Sequence, residues 1–277
     1  MNLLRLPLLV LIDVFENMDF REKFLISLLS KRAKNTLKLT SVPSDVFFDL
    51  SNNFSIRLGY YTAGHYPLAT SESDHIIGGK TMKLSFHTKG AIVEEESLRK
   101  QLLVANHLLD TCRISTISAA FFKPTISASP WKFMQMINRR QLSIKSFYYE
   151  VGASPEYVSK ILDECTEVTD NVVIIGWFPD DYVYTPSRQF NATKLRVYGN
   201  FNWSNLESFM NCRYATVQFG ENSTRTAQFY NSFFTKWMDS GARLQRLTLK
   251  CMKQSENQLI MNALKESNRK SELNGVK

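Results

Sequence analysis

From Arg113 to Leu249, short strand-like and helix-like segments alternate, and this rhythm constrains the fold more than any other feature of the chain. Strand patterns rich in β-branched, aromatic or Leu residues fall at Arg113–Ala120, Ile144–Glu150, Val172–Gly176, Lys194–Tyr198, Ala215–Phe219 and Leu244–Leu249. Helical patterns lie between most of them. Pro130 to Arg140 has Ser129 as a cap, and Pro155 to Cys165 has Ser154 as a cap with Pro155 at the first helical position. Trp203 to Cys212 carries Leu206, Phe209 and Met210. Thr226 to Met238 carries Phe229, Phe233, Phe234 and Trp237, with Gly241 as a stop. Strand starts recur every 20 to 30 residues, roughly, which fits a leucine-rich-repeat-like stack of strand–helix units. An open α/β sheet uses the same alternation. The stack is favoured because no Gly-rich strand-to-helix turn marks a nucleotide site and several strands are very short.

Before this region, strands are expected at Asp45–Leu50, Ser55–Tyr61 and Thr81–His87, and a helix at Glu94–Asp110. Gly64 to Lys80 reads as a loop, with Pro67 and Gly78-Gly79 as breakers. Aromatics at helical spacing, such as Phe229, Phe233 and Trp237, are expected in the core.

The first forty residues are different in kind. Leu8, Leu11, Ile12 and Phe15 share one helical face, and Pro7 suits the first turn because its missing N–H costs no hydrogen bond there. Asp19 and Glu22 form a capping-box pattern that opens a second helix, whose apolar positions are Phe24, Leu25, Leu28 and Leu29. Ser30-Lys31-Arg32 breaks it, and a short third helix ends near Leu39, before Pro43. Three short helices cannot bury this much apolar surface by themselves. They need either a partner or the rest of the chain.

The segment from Leu6-Pro7-Leu8 through Phe24-Leu25 to Ser30-Lys31-Arg32-Ala33 resembles an F-box. That resemblance implies docking onto the Skp-type adaptor of a cullin-based ubiquitin ligase. It assigns Leu6, Pro7, Leu8, Leu11, Ile12, Phe15, Leu25 and Leu28 to the adaptor contact or to its support. The aromatic run Phe229 to Met238, followed by Leu244 to Leu249, resembles the F-box-associated domain of the second type, found in a large nematode-type F-box family. Together they imply an F-box at residues 1–42 and a target-binding α/β domain at 43–277, with the F-box-associated region at about 180–250.

Composition narrows the function classes. The 277 residues carry 34 Lys+Arg against 26 Asp+Glu, a net charge of +8 interspersed along the chain, which reads as a solvated surface before a nucleic-acid patch. The four cysteines, Cys112, Cys165, Cys212 and Cys251, lie too far apart for redox or zinc motifs and are expected as buried thiols of a reducing compartment. The apolar run Leu6 to Ile12 is interrupted by Asp13 and is no signal peptide, and no stretch reaches transmembrane length, so a cytoplasmic or nuclear chain is expected. His65, His75, His87 and His107 lack metal-ligand spacing. Gly79-Lys80-Thr81 lacks the glycine and strand that a phosphate loop requires. No catalytic, cofactor or metal site is therefore expected. The favoured reading is a non-catalytic adaptor with a Skp-type partner and an unknown target protein. The alternatives are a protein-interaction domain unconnected with ubiquitin, a basic nucleic-acid binder and an α/β enzyme.

Overall fold

A computed structural model describes residues 3–40, 45–50, 54–59, 71–87, 89–94, 97–122, 128–152, 157–178, 182–202, 205–220 and 225–273. The chain divides into two compact units, Met1–Ile144 and Lys145–Lys277.

The first unit opens with three helices, α1 (Leu8–Glu16), α2 (Phe20–Leu29) and α3 (Lys31–Leu37). Strands β1 (Asp45–Leu50), β2 (Phe54–Leu58), β3 (Ser71–Ile77), β4 (Lys80–His87) and β5 (Gly90–Val93) follow. Then come α4 (Leu98–Thr111), β6 (Thr116–Phe121) and α5 (Ala128–Arg139). The strand order is β6-β1-β2-β5-β4-β3. The β1–β6 pair is parallel and the others are antiparallel. Phe48, Phe121 and Phe133 of α5 meet ring to ring in its core.

Part of the expected Gly64–Lys80 loop is instead the strand β3. Its polar run Ser71-Glu72-Ser73-Asp74 conceals an edge strand, which pairs with β4 from Ser71↔Phe86 to Ile77↔Lys80. Gly78 and Gly79 both take positive φ, 57° and 74°, the backbone of a two-residue type I′ hairpin turn. Helix α4 starts at Leu98, later than expected, because Glu94 is held by Lys83 and Ser85 of β4. Ser129 lies inside α5 and is buried, so it is no cap. The expected capping residues Ser154 and Pro155 lie outside the described residues.

The second unit comprises β7 (Ser143–Glu150, from Lys145 onward), α6 (Val158–Glu164), β8 (Asn171–Gly176), β9 (Lys194–Gly199) and β10 (Tyr214–Gln218). Helix α7 (Ala227–Asp239), β11 (Arg246–Lys250) and α8 (Gln254–Leu273) complete it. Its strand order is β7-β8-β9-β10-β11, every neighbour parallel and consecutive in sequence. Burial alternates along β9 and β10, whereas Val172, Val173 and Ile174 of β8 are all buried. Val172, Ile174, Leu195, Val197, Ala215 and Val217 are buried on one face, while Lys194, Arg196, Arg246 and Lys250 are exposed on the other or at its ends. The expected helix over Trp203–Cys212 is reduced to a 3₁₀ turn, Leu206–Phe209, capped by Asn205. Phe190, Phe201 and Phe209 pack as a buried aromatic cluster beneath it. On α7, Phe233 is buried as expected, and so are Tyr230 and Phe234, but Phe229 and Trp237 are only half-buried, with the Trp237 indole N–H donating to the Leu244 carbonyl at 2.7 Å.

Beyond the end of β9 the ladder is closed by a side chain. The buried Asn200 accepts from the Phe178 N–H at 2.6 Å and donates its amide N–H to the Phe178 carbonyl. Gly199 before it has φ +111°, and a Cβ there would stand 1.8 Å from the Gly176 carbonyl oxygen. The glycine lets two backbones approach, and the asparagine then satisfies both backbone groups of the neighbouring segment. Asn200→Ala leaves a buried N–H and a buried C=O without their partner. The expected loss is about 2–4 kcal/mol, read from urea unfolding with an unchanged m-value. A loss below about 0.5 kcal/mol would mean that water replaces the amide there.

Candidate functional site: the N-terminal helices

The capping box is formed as expected. The Glu22 N–H donates to Asp19 Oδ1 at 2.8 Å, and the Asp19 N–H donates to Glu22 Oε2 at 2.9 Å. Ser30 serves both helices at their junction. It ends α2 in an extended conformation and accepts the Ala33 N–H at the start of α3. This is why Ser30-Lys31-Arg32 is a corner with a helix on either side.

Leu11, Phe15, Ile26, Ala33 and Leu37 form the core of the three helices, with Leu3, Leu4, Leu6, Val14 and Met18 packed against it. Arg32 donates to the Leu6 carbonyl at 3.0 Å and ties the entry segment to α3. Helix α2 is buried on a second face as well. Phe24 meets Phe86 of β4 and the His107 ring of α4 at centroid distances of 5.8 and 5.5 Å. Ser27 and His107 share a hydrogen bond of 2.7 Å. Lys34 of α3 and Arg140 both pair with Asp110 of α4.

The residues assigned from the resemblance therefore separate. Leu11 and Phe15 are fully buried and can only support a contact. Leu6, Ile12, Leu25 and Leu28 are half-buried, and Pro7 and Leu8 are exposed. Four further apolar residues outside the assigned set stand out: Leu9 at 77 % exposed, Leu29 at 72 %, Leu39 at 58 % and Val10 at 45 %, beside Leu8 at 49 %. Leu8, Leu9 and Ile12 are neighbours on the helix surface through i+3 and i+4 spacing. The unbroken run Leu8-Leu9-Val10 was the available signal. Three consecutive apolar residues span more than one helix face, so they cannot all point into a core. Clustered exposed apolar side chains mark an interaction surface.

Comparison with known proteins agrees with this geometry. Residues 3–43 match the F-box domain. The chain is similar to a Caenorhabditis elegans protein, "Skn-1 dependent zygotic transcript 15 protein", at 24% identity over 292 aligned positions, covering 94% of this chain and 82% of that protein. No solved structure matches. F-box domains in general bind Skp-type adaptors, and the match supports a role in substrate recognition by Skp–cullin–F-box ubiquitin ligases. Among the described residues no helix is long and apolar enough to cross a membrane.

The cysteines divide differently from expectation. Cys165 and Cys212 are buried, and burial pushes the Cys212 thiol up to about 12. Cys112 is partly buried and its thiol is raised to about 11 by the same cause. Cys251 is exposed, one residue past β11, with φ 55°.

His107 makes the seating of the helices pH-dependent. Burial, followed by the nearby Lys34 cation, lowers its imidazole from 6.5 to about 4, against an opposing pull from Asp110. The folded chain thus binds fewer protons than the unfolded chain between those values. Its contribution to stability is complete above about pH 6.5 and is lost as pH falls toward 4. His75 and His87 are lowered in the same direction, also chiefly by burial. The urea midpoint is expected to drop between pH 7 and pH 5, and His107→Asn should reduce that drop. An identical drop in the variant would assign it to the other histidines.

Proposed function

We propose that this chain is the substrate-recognition subunit of a Skp–cullin–F-box ubiquitin ligase. Residues 1–42 bind the Skp-type adaptor, and residues 43–277 hold a target protein. The subunit is non-catalytic, and ubiquitin transfer belongs to the conjugating enzyme that the ligase recruits. Its contribution is positional, since tethering raises the effective concentration of a target lysine near the thioester. The observation that carries this reading is the exposed set Leu8, Leu9, Val10 and Leu29 on helices whose other apolar faces are already packed. Pro7, Leu8, Leu9, Ile12 and Leu29 meet the adaptor, with Leu6, Leu25 and Leu28 beside them. Leu11 and Phe15 hold α1 in position.

The target-binding part is read as a leucine-rich-repeat-like stack, its F-box-associated region of the second type at about 180–250. Two features support this. Consecutive parallel strands are consecutive neighbours from β7 to β11. Leu195, Val197 and Asn200 stand at L-x-L-x-x-N spacing, and Asn200 bonds to the backbone of the preceding unit. The chain acts in the cytoplasm or nucleus.

The test is co-expression with a Skp-type adaptor. Wild type should form a stoichiometric complex, and Leu8→Asp with Leu9→Asp should weaken it at least 100-fold while the thermal midpoint of the chain stays within a few degrees. Ile76→Asp changes an exposed apolar residue of β3, outside the F-box, and should bind normally. Wild-type binding by the Leu8/Leu9 variant would overturn the proposed contact.

A further inference from the structure

On the sheet face of the second unit opposite Leu195 and Val197, basic side chains recur in register. The cross-strand register aligns Lys194, Tyr214 and Arg246 in one row, and Arg196, Thr216 and Thr248 in the next. Lys250 stands two residues beyond Thr248 on the same face, and its ammonium lies 5.4 Å from the Tyr198 ring. Lys194, Arg196, Arg246 and Lys250 are exposed, and none of them makes an ion pair among the described residues. Among the described strand residues of this face the carboxylate is Glu150 of β7, at the far side, aligned with Ile175 and Tyr198. Half of the sheet face is therefore cationic with tyrosines between the charges.

We propose that this face binds an acidic, extended segment of the target protein. The inference rests on the function proposed above and names the chemistry of its target. Side chains on one face of a strand recur every ~7 Å, the spacing between Lys194 and Arg196 along β9. Carboxylates at alternate positions of an extended segment match it. Rows two strands apart, such as Lys194 and Arg246, are ~10 Å apart and flank such a segment from both sides. A nucleic acid would be held by base stacking on open aromatic faces. Here the Tyr214 ring is already paired with the Arg213 guanidinium, at 5.3 Å, and the Tyr198 ring with Lys250. These cation–ring pairs leave the charges free to meet carboxylates and leave the rings poor stacking platforms.

The experiment uses the full chain and fluorescein-labelled nine-residue peptides with Asp at alternate positions. An otherwise identical peptide carries Asn, and an oligothymidylate serves as the nucleic-acid probe. The Asp peptide should bind at least tenfold more tightly than the Asn peptide. Its affinity should fall at least tenfold between 50 and 500 mM salt and at least tenfold in Lys194→Glu/Arg196→Glu. Arg246→Glu/Lys250→Glu should act in the same direction. Equal binding of the Asp and Asn peptides, or unchanged binding by both variants, would overturn the proposal. Tighter binding of oligothymidylate, lost in the same variants, would overturn it in favour of a nucleic-acid face. These variants leave α1 and α2 intact and should retain the Skp-type adaptor. Loss of peptide selectivity with adaptor binding kept counts against this inference alone. Peptide selectivity without adaptor binding counts against the F-box reading alone.

Discussion

The second unit depends on the pairing of each strand, in parallel, with the strand that follows it in sequence. A hairpin cannot join such strands, so every connection must cross back over the sheet. Crossovers between parallel strands are right-handed. When they also advance in one direction, with no reversal of strand order, handedness sends all of them to the same face. That face becomes the core, filled by Leu195, Val197, Ala215 and Val217, with the Phe190, Phe201 and Phe209 cluster in the connecting segments. The opposite face carries the exposed side chains of Lys194, Arg196 and Arg246. A doubly wound sheet, whose order reverses at a switch point, would cover both faces and place its ligand at the reversal. Which face takes the connections is thus a consequence of topology before any side chain is considered.

The N-terminal helices solve a related problem of burial. Helix α2 has apolar or small residues around most of its circumference, and both sides are used. Ile26 points into the three-helix core, while Phe24 and Ser27 face β4 and α4. A free-standing F-box would leave Phe20 and Phe24 in water. Here they anchor it, and the apolar surface left over lies at the first turn of α1, at the end of α2 and at Leu39 just past α3.

Local signals carried much of this arrangement. The capping box at Asp19 and Glu22, the strand positions of the second unit and the buried Phe233 of α7 follow from hydrogen-bonding chemistry and periodicity that act within a few residues. The misses have equally specific causes. Strand β3 was concealed because edge strands carry polar side chains on exposed positions, and Ser71-Glu72-Ser73-Asp74 has no apolar alternation to read. Helix α8 lies past the last strand signal, and it is secured by contacts that only the fold creates. The Tyr230 hydroxyl donates to the buried Glu256 carboxylate at 2.5 Å, and the Asn231 amide donates to Glu266. The candidate site was legible as a motif, with Pro7 and Leu8 among its exposed members, but Leu9, Val10 and Leu29 were not assigned to it. Leu8 and Leu11 share the face read from periodicity, and only the packing of the three helices shows that Leu11 is buried while Leu8 is not.

The charge of the chain illustrates the same limit from the other side. A net +8 scattered among acids suggests an undifferentiated surface when read along the chain. A strand sorts its residues by parity, so Lys194-Leu195-Arg196-Val197-Tyr198 sends both cations one way and both aliphatics the other. Parallel register then brings Arg246 into line with Lys194, though 52 residues separate them in sequence. Acids such as Asp163 and Glu167 lie off the strands and are engaged locally, with Tyr184 and Ser187 in one case and Arg188 in the other. Neutralisation along the sequence is therefore not neutralisation in space. A modest excess of basic residues becomes a one-sided field wherever alternation and register act on it together, and this face of the second unit's sheet is where both do.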